Sequence, residues 1–425
     1  MKLASLKRGN MHSLSYDVLV IGAGPSGTCA ASILNKKGLK VAIIERDNFP
    51  RFSIGESLLP QSMVYLEKAG LLEDLNKIGF QPKNGATFLS KGQFSNFDFK
   101  DKFTDGPYQT FQVQRATFDK TMADTCERNG VKIHYKHNVD EIQFNPSDVQ
   151  VRATDLNTNE QKVFSGKFVL DASGFGRVLP RLLKLDRPST FPIRRAIFKH
   201  MSTNFPDYFD NNKILITVDD DNPDVWLWTI PFSNNTCSIG VVGTEEYFKS
   251  FGDKSLDDIL DSTINNSPKL KEIMTGSKPI NEVRTIIGYS SNVSTLYGDR
   301  FALLGNAGEF LDPVFSSGVT IALHSASLAA ELVARQIGGE TIDWEREFSE
   351  PLKVGVETFK TYVKTWYTGE LQTIIFYPKP EPRIKRMICS ILAGYAWDQK
   401  NPYAADSAKA IDALARVCRS ELGAP

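Results

Sequence analysis

The sequence predicts an α/β fold in which a βαβ core is interleaved with a β-sheet region and followed by a helical C-terminal region. Three observations carry this expectation. Near the N-terminus a short apolar strand runs into a glycine-rich turn, a helix and a second strand. Two later strand-like runs, 167–174 and 300–305, belong to the same core, and the second feeds a long apolar helix. No repeat of solenoid period and no low-complexity linker separates these parts, so they interleave instead of following one another as beads.

In chain order, Asp17 to Ile21 reads as the first strand and ends in Gly22-Ala23-Gly24-Pro25-Ser26-Gly27. Thr28 to Lys37 then reads as a helix and Leu39 to Ile44 as the second strand. Glycines at these spacings allow a tight turn, close approach of backbone to a pyrophosphate and close helix packing, while the helix N-terminus presents free N–H groups to an anion. Glu45 closes the second strand, where a carboxylate can accept hydrogen bonds from both hydroxyls of an adenosine ribose. That acid argues against a 2′-phosphate, although Arg46 beside it works slightly the other way. The strand Lys167-Phe168-Val169-Leu170-Asp171-Ala172-Ser173-Gly174 is followed by Arg177. The strand Arg300 to Gly305 leads through Asn306-Ala307-Gly308-Glu309-Phe310-Leu311-Asp312-Pro313 to Ser316-Ser317-Gly318 and an apolar helix, Val319 to Arg335. Val225-Trp226-Leu227-Trp228-Thr229-Ile230-Pro231 is unusual, since two of only five tryptophans fall in it.

Composition narrows the partners. The chain has 425 residues, enough for a sizeable core in one large or two interleaved domains. Fifty basic and fifty acidic residues cancel, so no global field points to nucleic acid or an anionic membrane, and a small molecule is the expected partner. Five scattered cysteines without a C-x-x-C pair suit reduced thiols in a cytoplasmic protein, with neither disulfides nor a structural metal expected. Met1 to His12 reads as a loose polar extension and not as a secretory signal. No integral membrane segment is expected, the longest apolar candidate being Met387 to Trp397 with Gly394 inside it.

These strings together resemble the flavin-dependent halogenases, within the FAD-dependent, glutathione-reductase-like superfamily that also holds geranylgeranyl-reductase-type flavoproteins. The resemblance runs from Asp17 to about Leu323. It implies FAD held by Gly22, Gly24, Pro25, Ser26, Gly27, Glu45 and Arg46, by the middle motif with Asp171 and Gly174, and by the third segment with Asn306, Asp312, Pro313 and Gly318. Asn306 replaces an aspartate usual in the family, and its amide can still bond a ribityl hydroxyl. Gln112-Val113-Gln114-Arg115 resembles a cofactor-contact segment, giving Gln112 and Arg115, and Gly55-Glu56-Ser57-Leu58-Leu59-Pro60 resembles a string that packs near the flavin, giving Ser57. A helix N-terminus aimed at the flavin pyrimidine would stabilise the charge a reduced flavin carries.

The resemblance further implies Trp226 and Trp228 as walls that keep an aromatic substrate off the flavin, chloride or bromide bound by Ser317 and Gly318, and Lys83 as the residue that holds electrophilic halogen beside the substrate. Taken as residues alone, Ser317 and Gly318 could equally be a helix cap, Lys83 a turn residue, the tryptophans ordinary core, and Arg115 or Arg177 surface charges. Tryptophan-type halogenases carry a glutamate where this chain has Phe315, so a self-activating phenol or pyrrole, in some relatives bound to a carrier protein, is the expected substrate. Without a nicotinamide fingerprint, reduced FAD is expected from a separate flavin reductase. The alternatives are a geranylgeranyl-reductase-type enzyme, an aromatic monooxygenase, and a non-catalytic flavin-binding protein. The expected organisation is an FAD-binding domain from 14–80, 110–185 and 284–340, a substrate-side β-sheet domain from 81–109 and 186–283, and a helical C-terminal region, 341–425, shaping a substrate entrance.

Overall fold

A computed structural model describes residues 14–423, so the expectation for Met1 to His12 lies outside the described residues. Parallel strands Phe301–Leu303, Phe168–Asp171, Val18–Ile21, Val41–Ile44 and Lys132–His134 lie side by side in that order, with Tyr297–Gly298 antiparallel at one edge. Val18–Ile21 and Val41–Ile44 are buried at every position, as strands covered on both faces must be. The helix between them, Pro25–Lys36, packs lengthwise on the helix Ser317–Ile337, so both helix N-termini open at the same end of the sheet. The helix starts at Pro25 instead of Thr28, because Pro at its first position has a preset φ and gives up an N–H that has no intrahelical partner.

A second sheet has Lys278–Pro279, Arg194–Ser202, Thr236–Thr244, Trp226–Pro231, Lys213–Val218, Gly85–Ser90 and Gln93–Asp98 in that order, with Arg284–Ile287 also on Arg194–Ser202. Period-two alternation divides this sheet between two cores. Trp226, Trp228 and Ile230 face the large core shared with the parallel sheet, while Leu227 faces a smaller one with Ile197, Leu215 and Val241. Gly240 lies directly across from Trp228, and a Cβ there would come within 2.4 Å of the indole. Glycine is what lets the indole lie flat on the sheet. A small sheet of Gln81–Lys83 and Thr110–Gln112 joins the two layers, and a separate meander of His137–Phe144, Val149–Asp155 and Gln161–Gly166 flanks the parallel sheet.

The C-terminal helices Glu350–Tyr367, Glu370–Ile375, Pro382–Leu392, Pro402–Ala405 and Ser407–Glu421 close over the second sheet. Ser95 Oγ donates to the Ile375 carbonyl at 2.6 Å, and the Phe103 N–H donates to the Arg386 carbonyl at 3.0 Å. One helix bears on the membrane expectation. By length and composition Ser317–Ile337 could cross a bilayer, but 72% of its apolar stretch is buried inside the fold. Serine, histidine and glutamate interrupt its apolar run at positions that packing accommodates.

Candidate functional site

One long cavity runs between the two sheets. Gly22, Gly24, Pro25, Ser26, Glu45 and Arg46 line it together with Trp226 and Trp228, as do Ser57, Arg115, Gly174, Asn306, Pro313 and Gly318. The glycine turn has the geometry its sequence requires. Gly22 has φ +96°, and a Cβ on it would stand 2.7 Å from the Ala172 carbonyl oxygen. Gly27 is tighter still, a Cβ there falling 1.9 Å from the Gly22 carbonyl oxygen. Gly27 therefore shapes the turn from behind and does not line the cavity. Gly24 caps the helix without any side-chain bond to its first N–H groups, which leaves them facing the cavity.

Glu45 is buried, with one carboxylate oxygen accepting the Ala23 N–H at 2.7 Å and the other the Asp47 N–H at 2.8 Å. Each oxygen keeps a free lone pair for a hydroxyl. Arg115 is paired through both nitrogens with Asp119, at 2.8 and 3.0 Å, and donates to the Ile54 carbonyl at 2.5 Å. It anchors the Ile54–Ser57 segment on the cavity wall. Arg177, in the left-handed region at φ +44°, reaches the Asn306, Ala307 and Gly308 carbonyls at 3.3 to 3.4 Å and so ties down the loop that presents Asn306.

Several expected contacts sit elsewhere. Asp171 is fully buried behind the cavity, its oxygens taken by the Ser173 and Leu179 N–H groups, so here it holds the turn after its strand. Gln112 is buried between strands and donates to the Asn211 carbonyl at 3.0 Å. Asp312 does not line the cavity either. Its Oδ1 accepts the Val314 N–H at 3.0 Å and its Oδ2 the Tyr367 hydroxyl at 3.0 Å, and burial pushes its carboxyl up to about 6. Ser317 is buried at the first position of its helix, whereas Ser316, at φ +55°, and Gly318 border the cavity. A Cβ on Gly318 would meet the Phe310 ring at 3.1 Å and point toward the Asn306 amide oxygen.

Lys83 is wholly enclosed in the small sheet and does not reach the cavity. Its ammonium donates to the Leu58 carbonyl at 2.8 Å and lies 5.6 Å from the centre of the Phe99 ring. With no carboxylate partner among the described residues, burial pulls it down to about 7. In the same core as the indoles, Trp366 packs on Phe88 and on Phe315, in each case with ring centres 5.8 Å apart. Residues the sequence did not single out include His200, whose Nε2 is 2.7 Å from a Glu56 oxygen at the cavity edge, and Tyr289, Arg194 and Tyr367 around Asp312. The Gly-Glu-Ser string was the only signal toward the first of these. Among the described residues no group of three His, Cys, Asp or Glu side chains is placed to hold a metal ion.

The arrangement fits FAD: a glycine turn and bare helix end for the pyrophosphate, a buried acid for the ribose, and a second helix end opening into the same cavity. Comparison with known proteins agrees. The FAD binding domain model matches residues 15–344. A 1H-pyrrole-2-carbonyl-[peptidyl-carrier protein] brominase of Pseudoalteromonas luteoviolacea is 31% identical over 79% of this chain and 80% of its own length. The corresponding chlorinase of Pseudomonas fluorescens is 26% identical over 92% and 91%. A tryptophan 2-halogenase of Chondromyces crocatus is 31% identical over 77% of this chain, which spans 62% of that relative. Among solved structures, a protein of Cytophaga hutchinsonii described as a flavoprotein/dehydrogenase superposes with a TM-score of 0.92 at 42% identity, over 96% of this chain and 99% of that one. The myxobacterial chondrochloren halogenase superposes at 0.73 with 26% identity, each chain covered to 92%.

Proposed function

We propose, for a chain that belongs to the flavin-dependent halogenase family, that it is an FADH2-dependent halogenase of electron-rich aromatics of phenol or pyrrole type, free or carrier-bound. The observation that carries this reading is the placement of Trp226 and Trp228 in the wall of the same cavity that the glycine turn and the Ser317–Ile337 helix end open into. Reduced FAD, delivered by a separate cytoplasmic reductase, supplies the electrons with which oxygen is activated for oxidation of chloride or bromide. The residues of this chain do the rest. The N–H groups around Ser317 and Gly318 hold the halide at a helix N-terminus. Gly22 to Ser26, Glu45, Arg46, Asn306 and Pro313 bind and orient the cofactor, with Gly27, Asp171, Gln112, Asp312 and Arg115 shaping its surroundings.

The two indoles are braced: Trp228 Nε1 donates to Ser238 Oγ at 3.0 Å and Trp226 Nε1 to the Tyr367 hydroxyl at 2.9 Å. So fixed, they bar an aromatic ring from the flavin end while a triatomic hypohalous acid passes. Lys83 is the residue assigned to receive it, and because it is enclosed beside the Leu58 carbonyl and does not line the cavity, it does so only when the small sheet around it opens. An amine with a pKa of about 7 can hydrogen-bond the acid or take its halogen, and the aromatic carbon exchanges hydrogen for halogen with release of water. Phe315 packs against Trp366 and Tyr362 where tryptophan-type relatives place a glutamate, so the ring supplies its own activating O–H or N–H.

One observation favours a second reading, an FAD-dependent reductase or dehydrogenase. Lys83 is sealed from the cavity, and a reductase has no use for it. The experiment that decides is product mass spectrometry after incubation with reduced FAD, oxygen, bromide and a panel of phenols and carrier-bound pyrroles. Brominated product that disappears in Lys83→Ala while flavin reoxidation continues supports halogenation; saturated or hydroxylated product without bromine overturns it.

A further inference from the structure

The family model ends at residue 344, yet the end of the helix Glu350–Tyr367 reaches the back of Trp226, which lines the flavin cavity. Tyr367 places one hydroxyl between two elements of the site. Its oxygen accepts from Trp226 Nε1 at 2.9 Å, and its proton goes to Asp312 Oδ2 at 3.0 Å. An indole N–H can only donate, so the Tyr367 oxygen accepts from Trp226, and its own proton is left for the ionised Asp312 carboxylate, which can only accept. The other Asp312 oxygen accepts the Val314 N–H and caps the turn Pro313–Phe315, after which Ser316 enters the left-handed region and the halide helix begins. The Tyr367 ring is itself pinned: the Arg194 guanidinium carbon lies 3.4 Å from its centre, and Arg194 is held by Asp224 at 2.7 Å.

We propose that Tyr367 is a positioning residue that locks the Trp226 wall and the Asp312–Gly318 halide turn into one arrangement, making the C-terminal helical region part of the active site. This rests on the assignment of Ser317 and Gly318 to halide. The chemistry requires a group that both donates and accepts while its flat face stacks on a guanidinium, and tyrosine meets all three demands. Phenylalanine keeps the stacking and leaves two buried polar groups without their partner. The backbone turn then loses the anchor that sets the direction of the Ser317 and Gly318 N–H groups. Glu45, assigned to the adenosine ribose, is held by the Ala23 and Asp47 N–H groups and takes no part in this chain of bonds.

The test compares the FAD-loaded parent with Tyr367→Phe by chloride-35 NMR line broadening, with displacement by bromide. Chloride affinity is expected to fall about tenfold in Tyr367→Phe, the worth of roughly one buried charge-assisted hydrogen bond, while FAD affinity measured by calorimetry stays within about twofold. Asp312→Asn is expected to weaken chloride through the same link, so that the double variant is no worse than the poorer single one. In turnover, the KM for bromide should rise with little change in kcat, and the share of oxygen released as peroxide should increase. Chloride binding equal in parent and Tyr367→Phe would overturn the inference alone, and so would strictly additive single and double effects. A parent that binds no chloride would overturn the halide assignment beneath it. If Asp312→Asn does not fold, the Tyr367→Phe titration decides by itself.

Discussion

Replacing Lys83 with methionine should stabilise the protein in acid and destabilise it in alkali while abolishing halogenation at every pH. The ammonium is buried with one carbonyl partner and no counter-charge, and its pKa stands at about 7 against an ordinary 10.5. Between these values the unfolded chain binds the proton and the folded one does not, so stability rises with pH through this window. Below about 7 both states are protonated and the full penalty is present. At about 1.4 kcal/mol per unit, that penalty is about 5 kcal/mol. Methionine removes it but leaves the Leu58 carbonyl unpaired, a cost of about 2 kcal/mol. The variant should therefore be about 3 kcal/mol more stable than the parent at pH 6 and about 2 kcal/mol less stable above pH 10.5, the two curves crossing near about pH 9. Urea unfolding of FAD-saturated samples across this range measures the difference. A variant equally destabilised at pH 6 and at pH 10.5 would refute the reasoning, since the lysine would then be bearing its charge without cost.

The cofactor end should respond to backbone clashes more than to chemistry. Gly27→Ala drives a methyl into the Gly22 carbonyl and should abolish FAD retention after desalting, whereas Gly24→Ala, whose Cβ meets nothing nearer than Arg51 at 3.6 Å, should leave the melting temperature of the apoprotein unchanged. Gly318→Val should push on Phe310 and Asn306, raising the KM for bromide and peroxide release well above any change in FAD affinity, which steady-state and binding assays separate. All five cysteines are buried, and burial raises Cys29, Cys126 and Cys389 to about 12. A thiol reagent at pH 8 should therefore label the native protein slowly and all five positions rapidly in denaturant.

The sequence by itself determined the local machinery. A strand ending in Gly22-Ala23-Gly24-Pro25-Ser26-Gly27 leaves a backbone little choice, because the turn depends on atoms within a few residues, and period-two alternation places Trp226 and Trp228 on one face wherever the strand lies. Their presence in the cavity wall beside the Ser317–Ile337 helix end could be anticipated only through the resemblance of several strings taken together. What faces a cavity and what stands behind it was decided by tertiary structure. Asp171, Gln112 and Asp312 lie in recognisable strings, yet Asp171 is taken up by the N–H groups of the turn that follows it, and Gln112 and Asp312 by a backbone carbonyl and a tyrosine from distant segments, since a buried polar group must be satisfied by whatever packs against it. The burial of Lys83 is of the same kind: its neighbours Leu58 and Phe99 come from a loop and from the short turn Phe99–Asp101, and no periodicity around residue 83 encodes them. Tyr367 carries no signature at all, because a single hydroxyl bridging residues 141 and 55 positions away is a property of the packed molecule and not of any stretch of chain.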